Sequence, residues 1–259
     1  MSIAILGAGA MAQYVLQSCA ARNHPLSCQI VRPGKETLET GVLQVSSVAE
    51  LPVGTSLLVD CAGHQGLEEH GPDALRRGID VLTVSIGALA DQSVLDVLEA
   101  AAKEGGSKLQ LASGALGSLD VLRAAATGGI DHVSYRGRKP PAGWRGSPAE
   151  KLLDLDNMGR EAVVHFSGTA REAALAYPKN ANVAAAVALA GVGLDATTVE
   201  LIADPQAAGN THEVSASGTF GTMEFSIVGK GLPDNPRTSA LAAMSVVAAI
   251  IERKSLVQF

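Results

Sequence analysis

Aromatic side chains are scarce in this sequence: one tryptophan, three tyrosines and four phenylalanines, 3% of the chain. A core built without them falls to alanine, valine and leucine, which suits helices packed closely on a sheet. Cysteine is equally rare. Cys19, Cys28 and Cys61 are odd in number and lack C-x-x-C spacing. That excludes a disulfide framework and a cysteine zinc site, and reads as buried thiols in a reducing compartment. No metal is expected. Positive charge is in deficit, with 20 Lys and Arg against 26 Asp and Glu and a net charge of −6. The chain therefore lacks the basic footprint of a nucleic-acid binder. No apolar run reaches membrane-spanning length, and no basic segment precedes an apolar leader, so the expected location is the cytoplasm, with no membrane partner. Internal repeats and low-complexity stretches are absent too.

What is present is 259 residues, 47% apolar and 18% charged, enough for one large domain or two modest ones. The first stretch organises the rest. Residues 3–6 form an apolar run fit for a buried parallel strand. Gly7, Gly9 and Ala12 follow at the spacing G-x-G-x-x-A, and residues 13–21 read as a helix with Tyr14, Val15, Leu16 and Cys19 on its apolar face. Strand, glycine turn and helix together form the dinucleotide fingerprint. Gly7 permits a tight turn, Gly9 lets a pyrophosphate approach the backbone, and Ala12 lets the helix pack on the strand. The expected cofactor-binding turn is thus Gly7, Gly9, Ala10, Met11 and Ala12, with the helix N–H groups facing the anion.

Residues 27–31 are the second expected strand. Where an acid would hold the 2′-hydroxyl of NAD, Arg32 stands instead. A guanidinium there can pair with a 2′-phosphate and stack on adenine, so NADP is expected as well as NAD. Further strands are expected at 56–62, 80–85 and 108–112. Helices are expected at 67–77, kinked or restarted at Pro72, and at 91–104. This alternation predicts a doubly wound parallel sheet. Beyond residue 113 the strands become longer and more alternating, at 131–138, 162–170, 197–204, 212–217 and 221–229. Helices follow residue 118 to about 126 and lie at 148–155 and 182–190.

The expected fold is α/β: an N-terminal Rossmann domain over residues 1–112 and a C-terminal α+β domain over 113–237 with a mostly antiparallel sheet. The second domain would carry catalysis, substrate binding and oligomerisation. A very apolar helix at 238–254 is expected to return to the first domain, to seal a subunit interface, or both. A homodimer or larger oligomer is expected from it.

Six histidines are candidates for acid–base chemistry. His24 and His70 fall at helix ends or loops, and His132 and His165 within strands. His64 follows a strand end in the cofactor domain, where open α/β sheets bind ligands. His212 begins a strand after Gly209-Asn210-Thr211, which predicts an imidazole at a sheet edge beside a flexible turn with an ordinary ionisation near 6.5.

Five motifs resemble the L-aspartate dehydrogenase family over essentially the full length. They are Gly7 to Ala12, Ser113-Gly114-Ala115-Leu116-Gly117-Ser118-Leu119-Asp120, Arg138-Lys139-Pro140-Pro141, Asn180-Ala181-Asn182-Val183-Ala184-Ala185 and Asn210-Thr211-His212-Glu213. The resemblance implies oxidation of L-aspartate to iminoaspartate with NAD or NADP. Hydrolysis then gives oxaloacetate and ammonia, or the imine feeds NAD biosynthesis. It implies His212 as the catalytic residue and Ala115 and Asn182 as contacts of the dinucleotide. A dicarboxylate needs cationic partners, and Arg136, Arg138, Lys139 and Arg145 cluster in one segment. Arg138 and Lys139, with His64 on the nicotinamide side, are the expected substrate contacts. Two alternatives stay open: a homoserine or dihydrodipicolinate type NAD(P) oxidoreductase, and a non-catalytic dinucleotide sensor.

Overall fold

The computed structural model describes residues 2–36, 41–233 and 235–257. The chain divides into two compact units. One holds the residues up to Ser85, Gln92–Gly114 and the chain from Ala242 on; the other holds Ile86–Asp91 and Ala115–Leu241.

The first unit starts with β1 (Ser2–Leu6), where Ile3, Ala4, Ile5 and Leu6 are all buried. Then come α1 (Ala10–Ala20), β2 (Cys28–Ile30), β3 (Leu43–Val45), β4 (Thr55–Asp60), α2 (His64–Arg76), β5 (Asp80–Thr83), α3 (Gln92–Gly105) and β6 (Leu109–Leu111). The six strands are all parallel, in the order β3-β2-β1-β4-β5-β6. That is the doubly wound order, which reverses direction beside β1 and opens a crevice at the carboxyl ends of β1 and β4. Strands buried on both faces explain the near-continuous apolar runs.

The second unit contains α4 (Leu119–Gly128), β7 (Ile130–Lys139), β8 (Val163–Thr169), α5 (Ala170–Ala176), α6 (Asn182–Ala190), β9 (Thr198–Ala203), β10 (Asn210–Gly218) and β11 (Gly221–Gly229). Its sheet runs β11-β10-β7-β9-β8, antiparallel except for the pair β7–β9. The alanine-rich α5 and α6 pack in the same core as Tyr135, Trp144 and Leu201. A small hairpin, β12 (Gly231–Leu232) and β13 (Asn235–Ser239), leads to α7 (Ala240–Glu252). Val246, Val247 and Ile250 of α7 join Ile3, Ile5 and Leu57 in the core of the first unit. The Arg253 guanidinium binds Asp80 and Gln110 there. The unusual apolarity of this helix is thus used within the unit, although Met244 remains 47% exposed.

Several local expectations change. The helix over Pro72 does not restart there: it runs from His64 to Arg76 with the proline ring buried. The expected helix at 148–155 is only a 3₁₀ turn, Pro148–Lys151. Just beyond that turn the Asp154 side chain accepts from the Asn157 backbone and amide, an alternative to helical bonding. Helix α5 was not expected, yet Thr169 and Glu172 form a full capping box before it. Strand β3 was also unforeseen, since Leu43 lies on the sheet edge and is 56% exposed.

Candidate active site

The first unit carries a cleft of about 550 Å³ at the carboxyl ends of β1, β2 and β4. Gly7 and Gly9 line it. Gly7 has φ +104° and donates its N–H to Ile30, and a Cβ there would lie 3.0 Å from the Cys61 carbonyl oxygen. Gly9 differs: a Cβ would meet nothing within 4 Å, so the space above this backbone is open to a ligand. Ala10, Met11 and Ala12 form the first turn of α1, which has no side-chain cap and no acid. Uncapped N–H groups and the helix dipole make such a turn an anion site. Ala12 is fully buried and lets α1 sit close on the sheet. Arg32 lines the same cleft together with Lys35, while Glu69 supplies the acid across it. The residues fit a dinucleotide: an open glycine cradle, an uncapped helix start and a cationic adenosine end.

Sequence reading overlooked Asp60 at the end of β4. It is fully buried and accepts from the Ala62 N–H at 2.9 Å, the Thr83 hydroxyl at 2.7 Å and the Ser85 hydroxyl at 2.6 Å. Burial raises its ionisation, against the pull of those hydrogen bonds and of nearby His64. His64 itself is the first residue of α2, following Gly63 at φ +84°.

In the second unit, Tyr135, Gly137 and Lys139 alternate along one face of β7, and His212 lies opposite Gly137 on β10. The Tyr135 hydroxyl and His212 Nδ1 are 2.8 Å apart. His212 is 4% exposed, and burial, then the charge of Lys139, lowers its ionisation to about 4. This corrects the expectation. His212 is the third residue of β10, an inner strand between β7 and β11, not a sheet-edge residue with an ordinary pKa. Lys139 Nζ donates to Asn180 Oδ1 at 2.7 Å and sits 4.9 Å above the Trp144 ring. Burial lowers its ionisation to about 8. His165 packs edge-on against Trp144, with centroids 4.4 Å apart, and burial lowers it to about 4 as well.

The structure separates the expected basic cluster. Arg138 points to the face opposite Lys139, and its Nη1 lies 2.9 Å from Asp204, whose carboxyl is held below its usual range. Arg136 pairs with Glu200 and Arg145 with Asp156. Only Lys139 shares the face of His212. Asn182 opens α6 and accepts the Gly87 N–H at 2.9 Å, fixing the turn Ile86–Ala90, and Ala115 is buried at 6% exposure. Among the described residues no group of three or more His, Cys, Asp and Glu could hold a metal ion, and no helix is long and apolar enough to cross a membrane.

The family described as "Aspartate dehydrogenase, C-terminal" matches residues 120–253, and "Homoserine dehydrogenase, NAD binding domain" matches 5–112. An L-aspartate dehydrogenase of Ruegeria pomeroyi is 54% identical, covering 99% of this chain and 94% of its own. One from Cupriavidus taiwanensis is 47% identical, covering 98% and 97%. The crystal structure of an aspartate dehydrogenase from Thermotoga maritima superposes with a TM-score of 0.76 at 25% identity, covering 100% of this chain and 99% of the other. With such relatives matched from end to end, the chain belongs to the L-aspartate dehydrogenase family.

Proposed function

We propose that this protein catalyses the reversible oxidation of L-aspartate to iminoaspartate with NAD or NADP, the imine then hydrolysing to oxaloacetate and ammonia. One observation carries the reading: a protein named L-aspartate dehydrogenase is 54% identical over 99% of the chain. Gly7, Gly9 and the N–H groups of Ala10, Met11 and Ala12 hold the pyrophosphate. Arg32 takes the 2′-phosphate of NADP, and NAD remains acceptable because nothing in this role repels a free hydroxyl. Ala115 and Asn182 contact the dinucleotide, and His64 lines the nicotinamide side. The bound nicotinamide supplies the hydride acceptor for the substrate Cα.

His212 is the catalytic residue in this reading. Its imidazole stays neutral at working pH because burial keeps its ionisation near 4. Lys139, held by Asn180 and Trp144 on the same face, takes a substrate carboxylate. With its ionisation at about 8 Lys139 is mostly charged at neutral pH, and the bound anion favours that charged form further. Arg138, engaged with Asp204, stiffens the β7–β9 pair and leaves the carboxylate to Lys139. A cytoplasmic location is part of the reading, from three cysteines, odd in number and without C-x-x-C spacing. A homo-oligomer is part of the reading, and sedimentation at micromolar concentration tests it.

The test is turnover of L-aspartate with each cofactor, and of oxaloacetate with ammonia and NAD(P)H, beside L-homoserine as control. His212→Ala should lose about 10²–10³ in kcat, the usual cost of removing one preorganised donor to a reacting oxygen, with cofactor affinity unchanged. Cofactor binding without turnover of L-aspartate would make the protein a sensor. Turnover of L-homoserine in its place would move it to the related reductases.

A further inference from the structure

We propose that Tyr135 is a positioning residue that donates its hydroxyl hydrogen to His212 Nδ1, so that neutral His212 meets the substrate as an Nε2–H donor. The inference rests on His212 being the catalytic residue and states what that residue offers.

Hydrogen-bond satisfaction decides the direction of this contact. Tyr135 is 1% exposed and His212 4%. Among the described residues, His212 Nδ1 is the polar partner of the Tyr135 hydroxyl. Two arrangements are possible across the 2.8 Å contact. If Nδ1–H donated to the phenol oxygen, the phenol hydrogen would be buried without an acceptor, and such an orphan costs more than an average hydrogen bond returns. If the phenol donates to a bare Nδ1, both groups are satisfied. Neutral imidazole carries one hydrogen, so it then sits on Nε2. Protonating His212 would require the first arrangement again, so the pair resists the imidazolium as well.

The sheet is built around this bond. In the register of β7 against β10, His212 lies opposite Gly137, two residues along the same face from Tyr135. The phenol must therefore cross the Gly137 position to reach the imidazole. A Cβ at Gly137 would lie 2.8 Å from the Tyr135 hydroxyl oxygen and 3.2 Å from its ring. Glycine is needed there because the phenol occupies the place of a side chain. The two rings lie 6.1 Å apart with planes 21° from parallel, so packing also fixes the imidazole orientation.

The chemical consequence is specific. A neutral Nε2–H donates to an oxygen and does not take a proton at that nitrogen. In the deaminating direction the acceptor is the oxygen of the carbinolamine formed when water adds to the protonated imine, the C=N electron pair moving to nitrogen; the proton that the water loses passes through solvent to that nitrogen, which leaves as ammonia while the carbonyl forms. In reverse it is the carbonyl oxygen of oxaloacetate, polarised for attack by ammonia. No bond to His212 forms or breaks in either direction.

The test combines a spectroscopic and a kinetic readout on the full chain with NADP bound. In protein labelled with ¹⁵N-histidine, the His212 signals at neutral pH should show hydrogen on Nε2 and none on Nδ1. Tyr135→Phe preserves the ring packing, so a purely structural role predicts wild-type turnover. The proposal predicts a mixture of tautomers and a kcat lower by up to about tenfold, the worth of one hydrogen bond, with cofactor KM unchanged. Gly137→Ala, which displaces the phenol but keeps it, should reproduce both effects. In the His212→Ala background Tyr135→Phe should change nothing further. An Nδ1–H signal in wild type, or a full Tyr135→Phe effect without the imidazole, overturns the proposal. Wild-type activity of His212→Ala instead overturns the catalytic assignment beneath it, whatever the tautomer.

Discussion

Acid should destabilise the second unit through its buried imidazoles, and His212 allows the effect to be isolated. Burial lowers His212 from 6.5 to about 4. Between those values the unfolded chain binds a proton that the folded state refuses. Stability therefore rises with pH across this window and is lost on acidification. One histidine with these values removes about 2 kcal/mol between neutrality and about pH 5, and about 3 kcal/mol once the pH falls below about 4. The imidazole is 4% exposed, so solvent screening takes little from this figure. The sole tryptophan, Trp144, is fully buried in the same unit, so its fluorescence during chemical denaturation follows that unit. The comparison is wild type against His212→Gln, a neutral side chain that does not titrate. The variant can be less stable at every pH; what matters is the slope. His165, lowered to about 4, titrates in both proteins and cancels. Wild type should lose about 2 kcal/mol more than the variant on going to about pH 5. Equal losses would show that His212 titrates normally when folded, and would refute its desolvation.

Two further outcomes follow from the cofactor cleft. Gly9→Val should abolish dinucleotide binding at an unchanged melting temperature, since its side chain enters open space that the pyrophosphate needs; titration of NADPH fluorescence measures the first and thermal melting the second. Arg32→Ala should weaken NADP by roughly ten- to hundredfold and NAD far less, because a charged hydrogen bond is worth about 1.5–3 kcal/mol; the ratio of kcat/KM for the two cofactors reads this directly.

Much of the first unit was legible because its strands are buried on both faces and announce themselves as apolar runs. Ile3 to Leu6, Leu57 to Asp60 and Val81 to Thr83 needed no partner to be recognised. The glycine turn was legible for a similar reason, since Gly7 at φ +104° is a local backbone demand. Strand β3 escaped because an edge strand with an exposed leucine buries too little to leave a pattern. Helix α5 could have been found from Thr169 and Glu172, whose spacing is the capping box itself.

The amino-acid sequence by itself determined the two periodicities and the dinucleotide turn, which depend on residue type and near neighbours, and it offered His212 as one candidate among six histidines, singled out through the family resemblance. Tertiary structure decided the rest. Alternation along a strand says which residues share a face, but not which strand lies beside it or in which direction, so the parallel pairing of β7 with β9 was open. The same limit hid the roles of Arg138 and Lys139. They are adjacent in sequence, yet one meets Asp204 and the other faces the imidazole of His212. Nor could a string of residues show that Gly137 makes room for a phenol, or that the register sets that phenol 2.8 Å from Nδ1. Burial follows from such pairings, and burial is what moves the ionisation of His212 and Lys139 away from their ordinary values.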